Sequence, residues 1–303
     1  MNQEGRASTN GVVVIDKPSG PSSRDVVQRV RRTLGASSAG HAGTLDPMAT
    51  GVLVVALGEA TKLVPYLTAD SKRYRTTIRL GIETDTLDAE GKVTAEHPLS
   101  TAPSRELIER AIQIEIARPE QVPPAFSAIR VDGERAYKAA RRGEEVVLPP
   151  RPVHVHSLTL VAVRGEPPEI DLEIYADKGY YVRSLARDLS ATLGSCGHLT
   201  MLRRIASGSF SIDDCASMEA DAADLTEHLF SLEQAARRVL PVVILTDEGS
   251  VRALHGKALS ADHFSTPPLG NGPHAWFRGD GTLAAVGAGA EDGHRVMRGF
   301  TSP

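Results

Sequence analysis

A chain of 303 residues is too long for one small core, so a large domain with a smaller companion is expected. Hydrophobic residues at 41% and charged residues at 24% describe an ordinary soluble globular protein. No apolar run approaches the roughly 20 residues of a membrane-spanning helix, and the two cysteines, Cys196 and Cys215, exclude a disulfide framework, so a reducing cytoplasm is expected. The net charge of −4, taken alone, argues mildly against nucleic-acid binding, which usually needs a basic surface. Positive charge clusters early (Arg24, Arg29, Arg31 and Arg32; Lys72, Arg73 and Arg75; Arg135, Lys138, Arg141, Arg142 and Arg151). Acids from Asp213 to Glu233 have no Lys or Arg among them. One basic face and one acidic back would satisfy that pattern, as would scattered solvated charges.

Met1 to Asn10 is polar, lacks the apolar core of a signal peptide, and is expected to be disordered. Gly11 to Ile15 (GVVVI) reads as a strand, stopped by Lys17-Pro18-Ser19-Gly20-Pro21. Ser22 or Ser23 can cap a helix through Leu34, with Val26, Val27 and Val30 at helical spacing and Gly35 as its stop. After a polar glycine-rich loop, Thr50 to Leu57 (TGVLVVAL) reads as a buried strand and Glu59 to Leu67 as a short helix. Tyr74 to Leu80 alternates like a strand, Arg105 to Ile116 is an amphipathic helix, and Gln121 to Ser127 (QVPPAFS) is extended by its prolines. A short helix at Tyr137–Arg142, strands at Val153–Val163 and Ile170–Tyr175, a helix near Arg183–Leu193 and a strand near Ser207–Ile212 follow. Ala220 to Leu240 is helical and acidic. From Val242 onward, glycine-rich β-like runs predict a small β-barrel. The mixture lacks strict βαβ alternation and is read as α+β.

The loop Gly40 to Gly51 (GHAGTLDPMATG) concentrates a carboxylate, an imidazole, two hydroxyls and three glycines between apolar runs that would anchor it. On spacing alone Asp46 is as readily a turn residue, because Asp-Pro starts turns, and His41 a hydrogen-bonded structural residue. His154 and His156 share a strand face with no third ligand nearby, so no metal site is expected. There is no dinucleotide fingerprint and no P-loop.

The segment Gly40 to Lys62, GHAGTLDPMATGVLVVALGEATK, resembles the catalytic motif of TruB-type pseudouridine synthases. Five further segments resemble family motifs in the same order: VIDKPSGPSS (14–23), KRYRTTIRLGIETDTLD (72–88), QVPPAFSAIRVDGERAY (121–137), KGYYVRSL (178–185) and LTMLRRIASGSF (199–210). Tyr180 stands where many members have threonine, and Phe126 where many have tyrosine.

The resemblance implies an α+β architecture, with a mixed-sheet pseudouridine synthase catalytic domain over residues 11–240. A PUA-like RNA-binding β-barrel would occupy 241–303, where the likeness is mostly positional. It implies isomerisation of uridine to pseudouridine at position 55 in the T loop of tRNA, with Asp46 as catalytic nucleophile on a flipped-out base. Arg183 would pair with Asp46, Tyr74 would stack on the target base, and His41 would help hold the flipped conformation. Tyr181 and Leu202 would line the pocket, and Lys17 and Pro18 would shape its floor. Asp85 and Asp88 would either contact RNA or form a solvated turn. The reaction changes no oxidation state and adds no group, so no cofactor is expected. The partner is tRNA, and a cytoplasmic monomer is anticipated. Two alternatives stay open: RNA binding and refolding without catalysis, and a synthase class acting on ribosomal RNA.

Overall fold

The computed structural model describes residues 9–68, 71–127, 129–131, 133–144, 146–291 and 293–300; the expectation of a disordered start falls mostly outside them. The first elements are β1 (Gly11–Lys17), α1 (Ser23–Thr33), β2 (Ala39–His41), β3 (Thr50–Leu57), α2 (Val64–Leu67) and β4 (Lys72–Leu80). A small hairpin of β5 (Ile82–Thr84) and β6 (Val93–Glu96) precedes α3 (Arg105–Ala117) and α4 (Ala136–Arg141). Then come β7 (Val155–Arg164), β8 (Glu169–Ala176), α5 (Val182–Thr192), β9 (Gly197–Ser207) and β10 (Cys215–Ser217). The chain ends with α6 (Ala222–Glu227), α7 (Leu232–Val239), β11 (Val242–Ile244), α8 (Asp247–Leu254), β12 (His274–Phe277), β13 (Leu283–Ala290) and β14 (Gly293–Gly299).

The large sheet runs β7-β8-β4-β9-β3-β1-β10, with β2 paired to β3. It is mixed: β9 with β3 and β1 with β10 are parallel, and the other pairs along that path are antiparallel. The continuous apolar runs of β1 and β3 follow from burial on both faces. Val13, Ile15, Leu53 and Val55 point into a core shared with α1, α3 and α5. Val12, Val14, Val52 and Val54 point the other way, onto α7 and the C-terminal strands through Ala275, Phe277 and Val286. Each such fully buried Val, Leu or Ile contributes about 1.5–3 kcal/mol.

α1 buries Val26, Val27 and Val30, and Gly35 ends it with φ +64, a left-handed conformation that glycine adopts without strain. The acidic stretch after residue 220 forms two helices, not one. The break at 228–231 lets Phe230 bridge to Val12 beside β1. Several of the early basic residues are neutralised in place, with Arg29 paired to Glu219, Arg75 to Glu173, and Arg142 to Glu134 and Glu144.

The C-terminal strands form their own sheet, β11-β12-β13-β14. The segment between α8 and β12 joins both outer edges, Leu259 bridging to His294 and Phe264 to Leu245, so the strands close into a ring around Trp276. No helix among the described residues is long and apolar enough to cross a membrane.

Candidate active site

The loop between β2 and β3 is held by buried side chains that grip its backbone. Arg204, on β9 and 1% exposed, donates from Nε to the Val52 carbonyl at 2.7 Å, from Nη1 to Thr44 at 3.3 Å and from Nη2 to Gly43 at 3.0 Å. Lys17, at the end of β1, donates from Nζ to the carbonyls of Pro18 (2.9 Å), Pro47 (2.9 Å) and Ala49 (2.7 Å). Burial lowers the Lys17 ammonium to about 8, opposed by the neighbouring Glu90 and Asp46 carboxylates. Gly51 is required where β3 begins: φ is +98, and a Cβ there would sit 2.1 Å from the Arg204 carbonyl oxygen. Loop backbone groups buried this way need partners, and here cationic side chains provide them in place of a strand.

Asp46 projects from this loop with its side chain 35% exposed. Arg183, in the first turn of α5 and 7% exposed, brings Nε to 2.9 Å from Asp46 Oδ2. The same Nε lies 3.8 Å from Asp88 Oδ2, and Nη1 and Nη2 donate to the Thr86 and Phe126 carbonyls, each at 3.0 Å. One guanidinium therefore ties together the Asp46 loop, the turn after β5 and the proline segment before α4. The buried guanidinium holds the Asp46 carboxylate from one side and leaves its other side open to a ligand.

Asp88 is neither solvated nor free for RNA. It is 5% exposed, its Oδ1 accepts from Thr86 Oγ1 at 2.6 Å and from the Glu90 N–H at 3.1 Å, and its Oδ2 faces Arg183. Asp85 closes the same turn by accepting the Lys92 N–H at 2.8 Å. Leu87 between them has φ +61, a left-handed conformation that costs a branched residue about 1–2 kcal/mol. Burial, then the charges of Asp88 and Asp46, raise the Glu90 carboxyl.

The structure distributes the other predicted residues around this centre. Tyr74 on β4 is half-buried and pairs in register with Arg204. Leu202 is buried on β9, opposite Thr76. Tyr181 is the residue before α5, its N–H donating to Gln121 Oε1 at 2.8 Å and its ring packing on the small cluster of Ile129, Ala136 and Leu148. Burial raises its phenol, so it is protonated at neutral pH. Lys17 lies beneath the loop, whereas Pro18 is exposed at its margin.

His41, on β2, is held below its usual range by burial, with Arg204 adding to the effect, and its buried Nδ1 has no hydrogen-bond partner. The imidazole is therefore neutral at pH 7. The folded protein binds this proton more weakly than the unfolded chain, so the stability it contributes is lost as pH falls below about 6.5. Thermal melts of wild type and His41→Gln from pH 7.5 to 5.5 check this. The variant is expected to lose less melting temperature on acidification, and parallel slopes would contradict it.

His154 and His156 meet edge to face at 4.6 Å, but His156 is paired with Asp177 at 2.7 Å and stacked on Tyr175. Among the described residues no cluster of three or more His, Cys, Asp or Glu could hold a metal ion. In the sequence Ser23 is marked only as a possible helix cap, and Arg204 and Gln121 are not marked as site residues. The signals were present: an arginine inside an alternating strand, a second serine beside a helix cap, and a glutamine ahead of two prolines.

The family model described as TruB family pseudouridylate synthase (N terminal domain) matches residues 31–182, and that of the tRNA pseudouridylate synthase B C-terminal domain matches residues 183–245. A tRNA pseudouridine synthase B from Roseobacter denitrificans is 50% identical over 252 residues, 82% of each chain. One from Dinoroseobacter shibae is 44% identical over 295 residues, covering 94% of this chain and 93% of that one. The solved structure of a Cbf5-Nop10-Gar1 complex superposes with a TM-score of 0.73 at 22% identity, covering 97% of this chain and 84% of that chain, a likeness of fold. The family models over residues 31–245 and relatives up to 50% identical over most of the chain show that it belongs to the TruB family of pseudouridylate synthases.

Proposed function

We propose that this chain converts uridine to pseudouridine at position 55 in the T loop of tRNA, with Asp46 as the nucleophile on a flipped-out uridine. The observation that carries the reading is the Asp46 carboxylate, half-exposed on a rigid loop and neutralised from behind by Arg183. The reaction breaks the bond from ribose C1′ to uracil N1 and forms one from C1′ to C5. The C5 proton leaves and N1 gains one, so the product is an isomer and no electron acceptor is needed. A carboxylate set beside the sugar–base junction supplies what such a step requires. Tyr74 stacks on the base, Tyr181 and Leu202 close the pocket, His41 supports the flipped conformation as a neutral ring, and Lys17 and Pro18 form the edge of the floor. No cofactor or metal takes part.

The choice of tRNA rests on relatives named tRNA pseudouridine synthase B at 41–50% identity. A T loop presents splayed single-stranded bases, the feature proteins read specifically in RNA. The ring of strands after residue 241 acts as a PUA-like module that grips the tRNA away from the T loop, near the acceptor end. The enzyme works as a cytoplasmic monomer. Turnover on an unmodified T-arm hairpin and on ribosomal RNA hairpins, side by side, tests the substrate. The T arm is expected to be preferred in kcat/KM by at least about 100-fold. Preference for the ribosomal fragments would refute the assignment.

A further inference from the structure

Ser22 and Ser23 are adjacent, yet they do different work. Ser22 caps α1: its hydroxyl oxygen accepts the Asp25 N–H at 3.3 Å, and Asp25 Oδ2 accepts the Ser22 N–H at 3.0 Å. The cap is complete without Ser23. The Ser23 side chain instead leaves the helix and is buried, with 3% of the residue exposed. Its hydroxyl donates to the Leu45 carbonyl at 2.9 Å and accepts the Leu45 N–H at 2.8 Å. One hydroxyl thus satisfies both backbone groups of the residue immediately before Asp46, as a neighbouring strand would. Leu45 itself is anchored in the main core.

The other loop clamps grip further out, Arg204 at Gly43 and Thr44, and Lys17 at Pro47 and Ala49. Ser23 acts at the peptide whose rotation aims the Asp46 side chain. We propose that Ser23 is a positioning residue for the isomerisation: by holding Leu45 at two points it fixes the direction in which the Asp46 carboxylate meets the uridine. The inference rests on Asp46 being the nucleophile. Without the hydroxyl, two buried backbone groups lose their partner and the peptide is free to turn. A misplacement of about 1 Å at a reacting group costs up to about 100-fold in rate.

The experiment measures single-turnover pseudouridine formation at saturating enzyme on a T-arm hairpin, RNA affinity and thermal melting, for wild type, Ser23→Ala, Ser23→Thr and Asp46→Asn. Ser23→Ala is expected to slow the single-turnover rate about 10- to 100-fold while RNA affinity stays within about twofold. Ser23→Thr, which restores the hydroxyl, is expected to recover most of the rate. A wild-type rate in Ser23→Ala, with any loss confined to its melting temperature, overturns the proposal. Where Ser23→Ala does not fold, Ser23→Cys, with its weak donor and acceptor, is read the same way: an intermediate rate supports positioning and a wild-type rate refutes it. Activity retained in Asp46→Asn would instead overturn the nucleophile assignment, whatever Ser23 does.

Discussion

Asp46→Asn is expected to abolish pseudouridine formation, by on the order of 10⁴-fold or more, while leaving the fold and RNA binding intact. The amide matches the carboxylate in shape, so the loop clamps from Arg204, Lys17 and Ser23 are untouched. What changes is charge and nucleophilicity at one exposed group. Stability is expected to move by no more than about 1 kcal/mol, because the buried Arg183 still faces the Asp88 carboxylate and the Thr86 and Phe126 carbonyls. Binding retained with chemistry lost would separate catalysis from any role in refolding RNA. A variant that still turns over at more than about a hundredth of the wild-type rate would exclude Asp46 as nucleophile.

Arg183→Lys is expected to lower the single-turnover rate about 100- to 1000-fold and to destabilise the protein by about 1–3 kcal/mol. The guanidinium faces Asp46 and Asp88 with Nε and donates to two carbonyls from Nη1 and Nη2, all in one plane. An ammonium at the end of a lysine has one nitrogen and cannot meet that set. The charge survives, so the deficit measures geometry and not the loss of a cation. Removing the charge altogether, in Arg183→Ala, leaves the nearly buried Asp88 without its partner and costs about 3–5 kcal/mol. Near-normal turnover in the lysine variant, checked by single-turnover kinetics and melting, would show that the fork is unimportant.

The apolar runs at Gly11–Ile15 and Thr50–Leu57 were legible as strands because both their faces are buried. α1 and α3 were legible because their buried positions recur at helical spacing. The central strand β9 was not. Its adjacent Arg203 and Arg204 break the apolar alternation, and the strand expected near Ser207–Ile212 meets only the end of β9 and the short return strand Phe210–Ser211 beyond the turn at Gly208. Arg204 is tolerated in the sheet because loop carbonyls surround its guanidinium, an arrangement visible only after folding. Asp88 was hidden for a related reason. The Thr-Asp-Thr-Leu-Asp run has the composition of a solvated turn, and only the approach of α5 from a distant part of the chain buries it against Arg183. The two serines at the start of α1 satisfied the capping pattern equally, and tertiary contact with Leu45 divides their roles.

Under the proposed function, the clamped Asp46 carboxylate isomerises one uridine of the T loop without a cofactor. The most direct test maps pseudouridine at nucleotide resolution in a full-length unmodified tRNA, treated with wild type or Asp46→Asn in magnesium-free buffer containing a chelator. Product at uridine 55 alone, with wild type alone, is the predicted result. Product at another position, or none until a metal or cofactor is added, would contradict it.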